Sequence, residues 1–485
     1  MIILSILLPI LGGAALIPVP FRTVRAREIA YEAVTCVTSV LVWMIVLRAP
    51  EGTAVVFSFA HGFPLAFQAD GMARLFAGMV AFMWPPVLLY AYEYMEHEDR
   101  TDGFFGFYVM TYGVTLGVAF AANLLTMYVF FEMLTLVTIP LVIFYRTHES
   151  NYAGRLYAAY TIGGAGLAFF SVILTGLYGA GSDFVYGGCL SGLDNLPVLH
   201  ASFILGFFGF GTKAAVFPMH DWLPKASVAP TPVTALLHAV AVVNSGAFAV
   251  MRLVYYVYSP AMLIGSKAQI LCLMVSVFSL LIGAYFAIRE RHFKRKLAYS
   301  TMSNLSYMLF GALLMTPAGL IGGMAHMLFH GITKMTLFLC AGAFMHKTGK
   351  AYVYEMGGVG RKMPVTFTCY TLGALSLIGI PPLCGFISKW RLLIGGADAG
   401  TPYGIFGACA LIAAAFMCAL YTLPVSVRAF FPVEGKDCFK NTTGKLEAGP
   451  RILFAIILFS AACIGFGLFS GPVVRFFAEI AAGRI

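Results

Sequence analysis

Long apolar runs follow one another from the first residues of the chain to the last, and short polar stretches separate them. Each run is close to the roughly 20 residues that cross a bilayer core. The pattern predicts an all-α integral membrane protein with about fourteen transmembrane helices and one transmembrane domain over residues 1–485. The predicted helices lie near 2–20, 29–48, 72–92, 104–123, 125–145, 155–179, 201–219, 232–256, 266–288, 298–315, 318–345, 364–394, 403–431 and 451–471.

The basic residues are unevenly distributed between the loops. Most of the 31 Lys and Arg residues fall in loops that follow odd-numbered helices, as at Arg22 and Arg25 and in the cluster 289–296. The positive-inside rule therefore predicts that these loops are cytoplasmic and that both termini lie outside the cell membrane. The net charge of +10 is then explained by cytoplasmic loops, and no nucleic-acid partner is predicted.

The amino-acid composition argues against several kinds of cofactor site. The chain is 60% hydrophobic and 11% charged, whereas soluble domains carry about 25% charged residues. Its ten cysteines are scattered and form no CxxC pair, which argues against iron–sulfur, zinc-ribbon or thioredoxin chemistry. The glycines at 163–166 lie within a predicted helix and follow no strand, so they do not form a nucleotide-binding loop. We predict no cofactor in this chain.

Two predicted helices carry a proline break and a lysine. Helix seven contains Lys213 and leads into a proline-rich segment at 218–232, and helix twelve contains Lys389 and is interrupted by Pro381 and Pro382. Seven and twelve differ by an odd number, so two five-helix units would be inverted in the membrane. Broken helices at matching places in inverted halves indicate an ion or substrate site. The alternative is that the prolines only kink spanning helices.

Four ionisable side chains fall inside apolar runs: Glu132, Lys213, Lys334 and Lys389. An ionised group at the bilayer centre costs about 3 kcal/mol, so these groups are expected to face protein or water rather than lipid. Glu132 and Lys213 are the predicted pair. The alternative is a static salt bridge that only fixes packing, although a buried pair is weak evidence for stability.

Helix eleven places three titratable groups on one face. His326, His330 and Lys334 follow a spacing of i, i+4, i+8. Such a row suits a proton relay, because imidazole titrates near neutrality. HxxxH could also be a metal pair, which would need further ligands. His238 in helix eight is either a satisfied core residue or a further relay member.

Several motifs occur in order along the chain. They are Phe130-Phe131-Glu132, the run 211–226 that begins Gly-Thr-Lys-Ala-Ala-Val-Phe-Pro, Leu237-His238-Ala239, Lys296-Leu297-Ala298-Tyr299-Ser300-Thr301 and Phe386-Ile387-Ser388-Lys389. In these motifs the chain resembles the antiporter-like subunits shared by respiratory complex I, Mrp cation/proton antiporters and membrane-bound hydrogenases. The resemblance covers helices three to thirteen.

The resemblance implies a proton-translocating subunit, with or without sodium antiport, beside other membrane subunits that include homologous antiporter-like ones. It implies inverted repeats of helices four to eight (104–256) and nine to thirteen (266–431). It also implies that Glu132 pairs with Lys213 and that a hydrated polar axis continues through further residues to Lys389. The residues matching that axis are His238, His326, His330, Lys334 and Lys389. Any redox chemistry would then belong to partner subunits.

Two positions depart from the pattern of that family. Asn244 stands where many relatives have a lysine, and His292 stands where the residue is often acidic. Three other functions remain open from the residues alone. They are a stand-alone secondary transporter of a small solute, a membrane-embedded metal enzyme using His326 and His330, and a mainly structural membrane arm.

Overall fold

The computed structural model describes residues 1–58, 64–178, 183–190, 196–433, 435–442 and 444–485. These residues are mostly helical. The helices are α1 (Ile2–Leu16), α2 (Val24–Arg48), α3 (Gly71–Tyr94), α4 (Thr101–Phe120), α5 (Leu124–Val142), α6 (His148–Tyr178), α7 (Leu196–Gly211), α8 (Trp222–Ala226), α9 (Thr231–Ala239), α10 (Val242–Arg252), α11 (Pro260–Leu263), α12 (Lys267–Arg289), α13 (Phe293–Leu313), α14 (Pro317–Thr348), α15 (Pro364–Ile378), α16 (Cys384–Asp398), α17 (Pro402–Phe430), α18 (Pro450–Leu468) and α19 (Gly471–Ala481). A π-helical turn, Leu253–Tyr258, extends α10, and 3₁₀ turns occupy Val353–Glu355 and Val359–Arg361.

Length and composition identify the membrane spans. In the described parts of the chain, ten helices are long and apolar enough to cross a membrane, with α9, α10 and the π-helical turn counted as one. Helices α1, α7 and α15 are shorter but also apolar. The prediction of a many-helix membrane protein is therefore confirmed.

One short hairpin departs from the all-α prediction. Strands β1 (Ala54–Ser58) and β2 (Pro64–Phe67) pair in antiparallel fashion between α2 and α3. The Thr126 hydroxyl in α5 accepts a hydrogen bond from the Ala66 amide at 3.0 Å, which fixes the hairpin against the helices. Residue 179, where the sixth helix was predicted to end, lies outside the described residues.

Two of the predicted transmembrane helices are interrupted close to a lysine. The break predicted at Pro381 and Pro382 is present, because α15 ends at Ile378 and α16, which carries Lys389, begins at Cys384. Helix seven, predicted to run over 201–219, instead ends at Gly211, so Lys213 lies just after α7.

The chain beyond α7 is held by hydrogen bonds outside the helical pattern. The Val216 amide donates to the Gly211 carbonyl, and the Trp222 indole donates to the Thr212 carbonyl at 2.9 Å. Pro218 has no amide hydrogen to continue a helix. These contacts explain why the prediction of Lys213 inside a helix was wrong.

Helix eight is also broken, which was not predicted. α9 ends at Ala239, one residue after His238, and α10 begins at Val242. The Asn244 side-chain amide donates to the freed Ala239 carbonyl at 2.7 Å. A side chain thus replaces the missing backbone donor at this break.

Helix α14 forms the centre of the fold. Its most apolar window is fully buried, and it packs against α9, α13, α15, α16 and α18. Because no part of that window faces lipid, α14 can hold His326, His330 and Lys334 without exposing them to hydrocarbon.

A buried ion pair joins α3 to α10. Both terminal nitrogens of the Arg252 guanidinium donate to the Asp70 carboxylate, at 2.5 and 2.6 Å. The Arg252 side chain is fully buried, and three aromatic rings lie within about 5 Å of its guanidinium carbon. These rings belong to Phe184, Phe248 and Tyr256.

Candidate functional site

Lys213 lies beside α5 at the residues predicted to pair with it. Its ammonium group donates to the Phe131 carbonyl and sits 3.7 Å from the centre of the Phe131 ring. Glu132 is the next residue, and its carboxylate acts on Lys213 through charge. The Glu132 Oε1 atom is buried without a hydrogen-bond partner among the described residues. The lysine is thus bonded to the backbone next to the glutamate, and no ion pair joins the two side chains in the described structure.

His326 connects three helices. Its Nδ1 atom lies 2.9 Å from the Ser388 hydroxyl in α16, and its Nε2 atom lies 3.3 Å from the Asn304 side-chain oxygen in α13. Both ring nitrogens of this α14 histidine therefore have polar partners. Its ring also stacks on Tyr307, with centroids 5.2 Å apart.

His330, one turn along α14, has a different environment. Its ring stacks on His326 at 5.7 Å, and neither ring nitrogen has a hydrogen-bond partner among the described residues. The charges of Lys334 and Lys389 and the rings of His326 and His238 all act on it. Four other members of the predicted set thus act on His330 through charge.

Lys334 and Lys389 both donate hydrogen bonds to backbone carbonyls. The Lys334 ammonium donates to the Leu297 carbonyl at 2.9 Å and to the Ser300 hydroxyl at 2.8 Å. The Lys389 ammonium donates to the carbonyls of Leu377 and Ile378 at 2.7 and 3.1 Å. Its two acceptors are the last residues of α15, whose carbonyls are left free by the break in helix twelve.

Tyr307 brings Lys389 close to His326. The Lys389 ammonium lies 4.9 Å from the centre of the Tyr307 ring, which also stacks on His326. Ser388, which hydrogen-bonds His326, immediately precedes Lys389 in α16. One aromatic ring and one hydroxyl thus separate the α14 histidine from the α16 lysine.

His238 joins this group through an aromatic contact. Its ring stacks on Phe338 at 5.0 Å, and Lys334 lies 6.0 Å from the same ring. Its Nε2 atom lies 3.3 Å from the Ser227 hydroxyl, and its Nδ1 atom has no partner among the described residues. The structure therefore brings His238, His326, His330, Lys334 and Lys389 into one group. Within the described chain, no hydrogen bond links Lys213 to His238.

Two buried lysines were missed by sequence reasoning. Lys294 and Lys296 were assigned to a loop, yet both are buried in the first turn of α13. Lys294 donates to the Ala229 carbonyl at 2.8 Å and Lys296 to the Ala287 carbonyl at 2.7 Å. The cluster of basic residues at 289–296 predicted a solvated loop. In the structure, backbone carbonyls at the ends of neighbouring segments accept hydrogen bonds from these two ammonium groups. The family motif that begins at Lys296 was the feature of the sequence that could have indicated a buried position.

The two departures from the family pattern have defined roles. Asn244 stabilises the break in helix eight, and its side-chain oxygen has no described partner. His292 precedes α13, where its Nδ1 atom accepts a weak hydrogen bond from the Arg295 amide at 3.5 Å. Burial, followed by the charges of Lys294 and Arg295, lowers the pKa of His292 to about 4. His292 is therefore a neutral helix cap near pH 7.

The alternative of a metal pair gains no support from the geometry. In the part of the chain that the structure describes, no three His, Cys, Asp or Glu side chains are grouped as a metal site would require. Both ring nitrogens of His326 are already close to polar side chains.

The chain is similar to known membrane proteins. Residues 121–416 match the family described as NADH:quinone oxidoreductase/Mrp antiporter, TM. The A/B subunit of a probable K(+)/H(+) antiporter of Rhizobium meliloti is 32% identical over 354 residues, which are 70% of this chain and 35% of that relative. The N subunit of the NADH-quinone oxidoreductase of Desulforudis audaxviator is 30% identical over 425 residues, which are 84% of this chain and 82% of the relative. The chain therefore spans about a third of the first relative and most of the second.

The fold is also similar to that of a solved structure. A chain of the Mrp complex from Dietzia sp. DQ12-45-1b superposes with a TM-score of 0.86 at 20% identity, covering 99% of this chain and 96% of that one. At this identity the likeness establishes the fold alone.

Proposed function

Because this chain belongs to the NADH:quinone oxidoreductase/Mrp antiporter transmembrane family, we propose that it translocates protons, with or without sodium in exchange, as one membrane subunit of a larger complex. Its partners would be other membrane subunits of the same complex in the cell membrane, including homologous antiporter-like subunits. Where the complex carries out redox chemistry, that chemistry would belong to partner chains, and this chain would bind no cofactor.

We also infer a fourteen-helix arrangement with inverted repeats over 104–256 and 266–431 and with both termini outside. Ten long and three shorter apolar helices give thirteen spans among the described residues, and α13, whose first turn is basic, would be the fourteenth. The breaks after Gly211 and Ile378 support the repeats, because each is followed within about a dozen residues by a buried lysine, Lys213 or Lys389.

One observation carries the proposal. Lys213, Lys334 and Lys389 are at most 7% exposed, and within the described chain none forms an ion pair with a carboxylate. A permanent buried charge without a partner is costly. A backbone carbonyl, by contrast, can accept a hydrogen bond from either the neutral or the charged amine. The arrangement therefore suits lysines that bind and release protons.

The energy scale is compatible with this role. Moving one proton against 100 mV costs about 2.3 kcal/mol, which corresponds to about a 50-fold change in proton affinity. Moving a carboxylate toward or away from a buried lysine changes its proton affinity by that order. In our proposal Glu132 favours the protonated form of Lys213, and its withdrawal sends the proton toward the histidines and Lys389.

The test uses the complete complex in sealed membrane vesicles, with proton translocation followed by a pH-sensitive dye. Lys213→Ala should abolish translocation and Glu132→Gln should reduce it, while the chain still inserts and assembles. Lys267→Ala, at an exposed position at the start of α12, is the matched control. Undiminished translocation by Lys213→Ala would refute the proposal, and transport by the purified chain alone would favour a stand-alone carrier.

A further inference from the structure

Lys334 is the inner end of a short chain of hydroxyl groups. Its ammonium donates to the Ser300 hydroxyl at 2.8 Å, and the Ser300 hydroxyl lies 2.7 Å from the Tyr421 hydroxyl in α17. All three side chains are at most 2% exposed. Two hydrogen bonds thus connect a buried lysine to a tyrosine on another helix.

Tyr421 reaches a polar cavity at the molecular surface. The cavity has a volume of about 470 Å³, and its polar lining comprises Arg289, Glu290, Arg291, Lys296, Tyr421 and Arg428. Several of these side chains are exposed, so the cavity is accessible to water. The loop between α12 and α13 supplies two of its lining residues, Glu290 and Arg291.

A row of polar side chains on α13 runs in the same direction. Lys296, Ser300 and Asn304 follow each other at intervals of four residues, so they share one face of the helix. Lys296 lines the cavity, Ser300 contacts Lys334 and Tyr421, and Asn304 contacts His326. Eight residues of α-helix span about 12 Å, so this row joins the surface cavity to the buried histidine pair.

We propose that this cavity is a proton access port and that Tyr421 and Ser300 carry protons between it and Lys334. The inference rests on the proposed proton translocation and adds a route from the surface to its buried groups.

The transfer balances as a sequence of proton exchanges. The Ser300 O–H gives its proton to the neutral Lys334 amine while Tyr421 O–H gives its proton to the Ser300 oxygen. Tyr421 then regains a proton from water in the cavity. One proton leaves the cavity and one reaches Lys334, both hydroxyl groups end as they began, and rotation of the two O–H bonds resets the chain.

A purely structural role for the same hydroxyls makes a different prediction. The Ser300–Tyr421 hydrogen bond also ties α13 to α17, so a structural role would make its loss loosen the packing and nothing else. Ser300→Thr keeps the hydroxyl and should preserve both roles. Tyr255→Phe separates them, because it removes only a buried hydrogen bond that ties the π-helical turn to α13, from the Tyr255 hydroxyl to the Ala312 carbonyl at 3.1 Å. Tyr370→Phe is the matched control, since Tyr370 is a buried tyrosine whose hydroxyl has no partner among the described residues.

The experiment measures the initial rate of proton translocation by the complete complex in sealed vesicles, per amount of this chain. Tyr421→Phe and Ser300→Ala should lower the rate by about 10- to 100-fold. This loss is small for a proton-transfer group, because a water molecule can take over part of the role of the missing hydroxyl. Ser300→Thr, Tyr255→Phe and Tyr370→Phe should stay within about twofold of the unchanged protein.

Two results would overturn the port. One is a normal rate for Tyr421→Phe and Ser300→Ala, and the other is an equal loss in Tyr255→Phe, which would assign the effect to packing. Lys213→Ala is measured alongside. If it abolishes translocation while Tyr421→Phe does not change it, the port is wrong and the proposed function stands. If Lys213→Ala translocates normally, the proposed function is wrong as well.

Discussion

His326 and His330 stack ring on ring at 5.7 Å, yet only His326 has hydrogen-bond partners among the described residues. The two histidines of one helical face therefore differ in what holds them. His326 is fixed between α13 and α16, whereas His330 is placed by stacking and by the charges around it. A fixed ring next to a less constrained one suits a step in which a proton is handed on.

Substituting His330 should separate proton transfer from stability. His330→Phe keeps an aromatic ring to stack on His326 but cannot carry a proton. We expect translocation to fall by at least about tenfold. The thermal midpoint of the purified protein should not fall, because no described hydrogen bond is lost. His148→Phe, at an exposed position at the start of α6, serves as the control. Full translocation by His330→Phe would remove His330 from the relay.

The Arg252–Asp70 pair should be a major contributor to stability. Asp70→Asn keeps the helix cap that accepts from the Ala73 amide but leaves the buried guanidinium without a counter-charge. We expect the free energy of unfolding to fall by about 3 kcal/mol, measured by thermal denaturation in detergent. Asp102→Asn breaks the more exposed pair with Arg27 and should change it by less than about 1 kcal/mol. Equal effects of the two substitutions would contradict this account.

The buried cap His292 predicts a pH dependence of stability. Its pKa is about 4 in the folded chain and about 6.5 when unfolded. Between these values the unfolded chain binds the proton more readily, so stability is full above pH 6.5 and is lost as the pH falls toward 4. His292→Asn, which can still cap α13, should reduce the drop in thermal midpoint between pH 7.5 and pH 5. An unchanged drop would show that other groups cause it.

Much of the fold follows from the sequence because the bilayer imposes a simple rule on length and polarity. The break at Pro381 and Pro382 was predictable, since proline removes a backbone donor. The break after Ala239 was not, because the run 237–243 contains neither proline nor glycine. There the deciding contact is the Asn244 side chain, which only the tertiary structure reveals.

The candidate site was predictable to a similar extent. The cost of buried charge identified Lys213, Lys334 and Lys389 as inward-facing residues. Their acceptors could not be predicted, because most are backbone carbonyls, two at the end of α15 and two within α5 and α13. Ser300, Asn304 and Ser388 were not singled out either, because small polar residues are common between packed membrane helices. Their importance comes from their distance to a histidine or lysine on another helix.

The polar row on α13 has a mechanical consequence. Ser300 and Asn304, one turn apart on a single rigid helix, hold Lys334 and His326 respectively. A rotation or slide of α13 by a neighbouring subunit would therefore change both contacts in the same movement. The surface port would thus be connected to both buried groups, or disconnected from both, in one movement, so the position of α13 would control proton entry.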